Sequence, residues 1–233
     1  MKKNGKRYRA LIKSYNSNDI YPYQDAIKIV KQNANAKFDE SFEVAIKLGV
    51  DPRKADQLVR GTVSLPHGTG KKVRVLVLTK EPRDKEALEA GADYAGFEEY
   101  IEKIKAGWTD VDVIIATPDV MAEVGKLGKI LGPRGLMPNP KSGTVTFEIA
   151  KAVKDVKAGK IEYRVDKTGN VHVSIGKCSF EPEKLAENIT TFYSSIVRAK
   201  PATAKGKYIK SIYFCSTMGP SVAINEQSLQ VKE

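Results

Sequence analysis

Cysteine and histidine are scarce in this chain, with two of each among 233 residues. Cys178 and Cys215 are isolated and form no CxxC pair, so both read as reduced packing residues of a cytosolic protein. His67 and His172 lack cysteine or carboxylate partners at ligand spacing, which argues against a metal site. No apolar run approaches the roughly 20 residues of a membrane span. The opening MKKNGKRYRALIKSY is basic like a signal peptide but has no apolar stretch behind it, so export is not expected. Phosphate-binding glycine motifs are missing too. Gly68-Thr69-Gly70-Lys71-Lys72 imitates the end of a P-loop, but Leu65 stands where the first glycine is needed and Lys72 where a Ser or Thr is needed. A dinucleotide fingerprint would follow the first parallel strand, where the chain has Lys80-Glu81-Pro82-Arg83. These absences leave no catalytic apparatus and no cofactor, and the chain is expected not to be an enzyme.

What is present is basic charge. With 39 Lys and Arg against 28 Asp and Glu, the formal charge is +11. Such a balance speaks to partners, and the usual partner is a polyanion. Residues 1–67 carry 13 basic and 7 acidic side chains, residues 68–159 carry 15 and 14, and residues 160–233 carry 11 and 7. The excess lies at the two ends of the chain while the middle is almost neutral.

The hydrophobic pattern divides the chain the same way. Ile20 to Lys31 predicts a helix with Pro22 in its first turn. Phe42, Val44, Ile46 and Leu48 alternate as a half-buried strand, Asp51-Pro52 opens a short helix toward Val59, and Thr62 to Leu65 is a second strand. From Val73 the character changes: VRVLVLT is a strand covered on both faces. Helix at Asp84–Ala90, strand at Asp93–Gly96, helix at Glu98–Ala106, strand at Val113–Ala116 and helix from Pro118 follow, which is the order of a parallel α/β sheet. A helix at Glu148–Lys157 ends it at Gly159. Alternation at Ile161, Tyr163 and Val165, the turn DKTGN, and alternation at Val171, Val173 and Ile175 predict a hairpin. Pro182–Arg198 is a helix and Tyr208–Cys215 a last strand, with a loose tail past Asn225. The expected fold is therefore mixed α/β and α+β in two domains. Residues 68–159 form a parallel α/β domain inserted into an α+β domain made from 1–67 and 160–233. The two crossings, near Pro66–Gly70 and Gly159, would act as a hinge.

Two segments carry the functional signal. KLGKILGPRGLMPNPKSGTVTF (Lys126 to Phe147) has no acid between Glu123 and Glu148 and combines glycines, prolines and cations. It reads as a stiff cationic loop able to meet phosphates, although a plain solvated connection shares that composition. STMGPS (Ser216 to Ser221) follows the last strand. Thr217 offers a hydroxyl for a ribose 2′-OH, Met218 an apolar packing surface and Gly219 a backbone free for close approach, contacts that RNA recognition favours. A tight turn closing the strand fits the same residues.

These blocks, with AKFDESFEVAIKLGVDPRKADQLVRGTVSLPHGTGK, ATPDVM and DKTGNVHVSIGK, resemble the bacterial form of the ribosomal protein L-one family across essentially the whole chain. The resemblance implies that the domain from both termini binds RNA and that the insert is Rossmann-like. It implies binding to large-subunit rRNA at the mobile exit-side stalk and assistance to the movement and release of exit-site tRNA. Repression of its own mRNA is also implied. The protein would be cytoplasmic and ribosome-bound, and a monomer off the ribosome. On the family pattern the rRNA contacts are Lys37, Phe38, Ser41, Ser211, Thr217, Met218 and Gly219, while Arg164, Lys167 and Thr168 around the predicted hairpin turn read as phosphate or sugar contacts. Phe38 would otherwise belong to the core, and the three turn residues fit a solvated turn equally. Lys129, Arg134, Asn139 and Lys141 are expected to face tRNA or rRNA. A nucleotide-using enzyme built on the central segment and a DNA-binding repressor are the competing readings.

Overall fold

The computed structural model describes residues 5–229. It contains two compact units, one formed by the chain up to Gly70 and from Ile161 onward, the other by Lys71–Lys160. The chain opens with α1 (Lys6–Ile12), β1 (Ile20–Tyr21), α2 (Tyr23–Asn33), β2 (Ser41–Leu48) and β3 (Arg60–Ser64). The inserted unit supplies β4 (Val75–Leu78), α3 (Arg83–Glu89), β5 (Tyr94–Gly96), α4 (Glu98–Lys105), β6 (Val113–Ala116), α5 (Met121–Lys126), α6 (Gly128–Leu131) and α7 (Ile149–Lys157). The chain returns with β7 (Lys160–Arg164), β8 (Asn170–Lys177), α8 (Pro182–Arg198), β9 (Ile209–Ser216) and β10 (Val222–Ile224). Mixed α/β architecture with a parallel sheet is what the hydrophobic pattern predicts.

In the inserted unit β5, β4 and β6 form a parallel sheet with β4 at its centre. All four residues of β4 are buried. Leu76 and Leu78 face one apolar cluster with Ile101, Ile104 and Ile114, while Val75 and Val77 face another with Ala87, Ile149 and Val153. Successive side chains point to opposite faces, so an unbroken apolar strand requires helices on both sides.

The other unit is built on a five-stranded sheet in the order β1-β10-β9-β2-β8. β2 runs antiparallel to β8 and β9, and β10 antiparallel to β9. Phe42, Val44, Ile46 and Leu48 of β2 point into a core shared with Ala26, Ile27 and Val30 of α2 and Leu185, Ile189, Phe192 and Ile196 of α8. The residues between them, Ser41, Glu43, Ala45 and Lys47, are only half-buried. One face of the sheet therefore carries helices and the other is open.

Several expectations are corrected. The predicted hairpin does not form, since β7 joins β3 in a separate two-stranded sheet and β8 joins β2. Alternation reports which face of a strand is buried and says nothing about its partner. The turn itself is tight: the Asp166 N–H donates to the Asn170 carbonyl at 2.7 Å, and the Asp166 carboxylate accepts the Thr168 and Asn170 N–H groups at 2.8 Å each. Ile20 is not helical but pairs with β10, and Pro22 is the N-cap of α2. The residue before a proline is pushed toward extended backbone, which suits β1. Asp51-Pro52 leads only to a 3-10 turn at Ala55–Gln57.

The segment Lys126–Phe147 is not a continuous loop. It contains α6 and a 3-10 turn at Pro140–Ser142, and Leu127 and Leu131 are buried in the core. Nor is the tail loose as far as it is described: Glu226–Leu229 forms a 3-10 turn and Leu229 is buried. The rest of that expectation falls on residues 230–233, outside the described residues.

Candidate nucleic-acid interface

β2 begins beside the turn that follows β9, and this pairing assembles the first patch. The Ser41 N–H donates to the Thr217 hydroxyl at 2.9 Å, and the Thr217 N–H donates back to the Ser41 carbonyl at 3.1 Å. Met218 is half-exposed and Phe38 is 55% exposed, so Phe38 is a surface residue, not part of the core. Lys37 and Thr217 are exposed as well. Gly219 is required by close approach. A Cβ there would lie 2.4 Å from the Ser216 hydroxyl oxygen, well inside contact distance.

Three charged residues that sequence reasoning passed over hold this patch. Glu40 is only 2% exposed, and its two carboxylate oxygens accept the Ala36 and Met218 N–H groups at 2.9 Å each. Burial alone would raise its pKa, but the Ser216 side chain, those two amides and the positive charge of Arg7 outweigh it and hold the carboxyl below its ordinary value. Arg7 of α1 donates to the Met218 carbonyl at 2.7 Å and to the Asn35 side chain at 3.0 Å. Lys177 of β8 donates to the Ser41 hydroxyl at 3.2 Å. A signal for Glu40 existed: it shares the inward phase of Phe42 and Val44, where a carboxylate must find donors.

The second patch lies at the other end of β2. Ser211 pairs with Lys47 across β9 and β2, and Asn170 pairs with Lys47 on the β8 side. The Lys47 ammonium donates to the Thr168 carbonyl. Thr168 is less free than its exposure suggests, because its hydroxyl donates to the Asp166 carboxylate at 2.8 Å and accepts from the Asn170 amide at 2.8 Å. The backbone N–H of Asn170 foremost, then the hydroxyl and N–H of Thr168, hold the Asp166 carboxyl well below the usual carboxylate range. Lys167 is exposed on this turn. Arg164 is exposed too, but on β7, which belongs to the other sheet.

Ser41 and Lys47 are six positions apart on β2, about 20 Å at strand rise. Between the patches the open face presents Glu43, Ala45, Cys215, Tyr213, Ser174 and His172, in register across the three strands. The predicted rRNA contacts other than Arg164 thus lie in two patches joined by an open sheet face.

A sequence model described as the Ribosomal protein L1p/L10e family matches residues 30–220. The chain belongs to that family. It is 60% identical over 223 residues to the large ribosomal subunit protein uL1 of Chlorobium phaeobacteroides, covering 96% of this chain and 97% of the relative. The corresponding protein of Chlorobium luteolum is 62% identical over the same shares, and that of Chlorobaculum tepidum 60% identical over 95% and 96%. Members of the family are structural ribosomal proteins and not enzymes.

The family match includes the Gly/Pro segment in the inserted unit. Lys129, Arg134 and Lys141 are exposed there, and Arg134 donates to the Thr109 hydroxyl. Asn139 is committed to structure. Its side chain accepts the Lys141 N–H at 3.0 Å, and its backbone N–H donates to the Thr144 hydroxyl at 2.8 Å. Gly143, at φ 72°, closes this turn in the left-handed region that favours glycine. The segment then runs beside β6, with the Ala116 N–H donating to the Thr144 carbonyl at 2.9 Å.

Proposed function

We propose that the chain is a structural constituent of the large ribosomal subunit that holds ribosomal RNA of the mobile exit-side stalk on the open face of its five-stranded sheet. In this reading Lys37, Phe38, Ser41, Thr217, Met218 and Gly219 make one group of contacts, and Ser211, Lys167 and Thr168 a second. Arg164 adds a phosphate contact from the neighbouring sheet. The exposed cations Lys129, Arg134 and Lys141 of the inserted unit face exit-site tRNA or rRNA, and the protein assists tRNA movement and release. A similar structure in its own mRNA would compete for the same face and allow repression. The protein would work in the cytoplasm, bound to the ribosome.

The observation that carries the reading is the hydrogen-bonded pairing of Ser41 with Thr217, which gathers backbone and hydroxyl groups beside an exposed Met218 and Phe38. Hydroxyls and apolar surfaces of this kind discriminate RNA, while Lys and Arg position it. The test is equilibrium binding to the stalk rRNA fragment across a salt series, with unrelated structured RNA and duplex DNA as controls. Affinity that stays well above both controls as salt rises supports the reading. Equal affinities falling together on one steep slope would reduce the interaction to counterion release and overturn it.

A further inference from the structure

β9 carries a bulge at the Ser211 end. Lys47 pairs with Ser211 and the next pair is Leu48 with Ile209, so Lys210 is left over. A bulge re-aims the side chain of its extra residue. Lys210 is exposed and has no ion-pair partner among the described residues, whereas the nearby Lys207 is paired with Glu226 at 3.4 Å. Lys210, Ser211 and Tyr213 line an open basin of about 760 Å³ between β9, β10 and β1. That volume falls in the roughly 300–1,000 Å³ range of small-ligand sites.

Three of the residues that line the basin, Ile20, Ala223 and Tyr213, share one rung of the sheet across β1, β10 and β9, and that rung continues to Ala45 of β2. Tyr213 is 40% exposed and Ile20 68% exposed. The two alanines flanking Tyr213 are too short to cover its ring. A partly exposed aromatic ring beside an unpaired cation suits a nucleobase and its phosphate, because every base has a π-face and base–aromatic stacking needs no particular sequence.

We propose that this basin receives one unpaired nucleotide of the bound RNA, with its base stacked on Tyr213 and its phosphate held by Lys210. Ser211 supplies a hydroxyl for the ribose. The proposal rests on the RNA-binding reading above and extends the footprint beyond the two patches toward the β1 edge.

The test measures binding of the stalk rRNA fragment to the full chain and to Tyr213→Ala, Tyr213→Phe and Lys210→Ala, with Met218→Asp as reference. Tyr213→Ala is expected to weaken binding about tenfold with an unchanged salt slope, and Tyr213→Phe to bind like the parent. Lys210→Ala should lower affinity and reduce the salt slope by about 1. If Met218→Asp binds weakly while Tyr213→Ala and Lys210→Ala bind normally, the basin proposal falls and the RNA reading stands. Normal binding by all the variants, Met218→Asp included, removes the RNA reading itself. Should Tyr213→Ala fail to fold by circular dichroism, ultraviolet crosslinking of the unmodified protein to the RNA decides. An adduct on Tyr213 supports the basin, and adducts confined to the Met218 turn overturn it.

Discussion

The carboxylate of Glu40 accepts the backbone N–H of Met218 at 2.9 Å from a position only 2% exposed, so a buried charge fixes an exposed turn of the candidate interface. The two residues are 178 positions apart. The carboxylate of one end of the chain thereby sets the shape of a turn at the other.

Replacing Glu40 with Gln is expected to release that turn. Both carboxylate oxygens are acceptors, and an amide keeps only one while turning an N–H toward a second N–H. One partly buried donor is left unsatisfied, at a cost of about 1 kcal/mol. Because the folded pKa of Glu40 lies below its ordinary value, the ionised form is the one the fold favours. Its contribution is complete above the ordinary carboxyl range and is lost as pH falls through the lowered value. Urea unfolding of the parent and Glu40→Gln at neutral pH, with carbon NMR of the Glu40 carboxyl, checks both parts. A Glu40 titration at or above the ordinary value would contradict the assignment.

Gly219→Ala should destabilise the turn and weaken RNA binding, since its new Cβ would meet the Ser216 hydroxyl oxygen at 2.4 Å. The next Ser216 atom, its Cβ, is at 3.6 Å, an ordinary contact. Ser216→Ala in the same chain is therefore expected to restore most of the loss. A double-mutant cycle with thermal unfolding and RNA affinity as readouts measures the coupling. Additive effects would show that the hydroxyl is not what excludes a side chain at position 219.

Met218→Asp places a charge on a half-exposed side chain whose backbone, not its thioether, is tied to Glu40 and Arg7. Its circular dichroism should stay native while affinity for the stalk rRNA fragment falls by more than tenfold, about 1.4 kcal/mol. A folded variant with unchanged affinity takes this turn out of the interface.

Cys178 is predicted to be slow toward alkylating reagents. Burial, with Glu40 and Asp39 nearby, pushes its thiol up to about 11, and burial first and then Glu43 raise Cys215 as well. Only the thiolate reacts, so at pH 8 the reactive fraction of Cys178 is on the order of one in a thousand. Iodoacetamide labelling followed by mass spectrometry should leave both cysteines largely unmodified in the native protein and modify both in urea. Rapid native labelling of Cys178 would mean that its thiol is not buried as described.

How much was legible can be judged from particular residues. The alternation Phe42, Val44, Ile46, Leu48 predicts β2 and its inward face, and the unbroken VLVL predicts a strand covered on both sides. Pro182 at the start of α8 and Arg198 at its end mark that helix well. The same alternation misled at Val165 and Val171, which flank one turn yet serve two sheets. It also gave no hint of β1 or β10, whose short lengths carry too few residues for a period. Among the site residues, Thr217 and Met218 drew notice by their motif, while Arg7, Glu40 and Lys177 did not, because charged residues near chain ends and strand starts usually face water.

Local pattern in the chain sets the order of the longer strands and helices, the inward and outward faces of β2, the basic ends of the chain and the motifs that mark the family. These properties depend on neighbours a few positions away, and composition and periodicity record them directly. The folded chain adds that β7 and β8 part company, that Ser41 meets Thr217, that Glu40 is buried beneath Met218 and that Tyr213 stands partly exposed between two alanines. Apart from the local pairing of Tyr213 with Ala223, these depend on which segments meet across about a hundred residues or more, and such contacts leave no periodic trace in the chain.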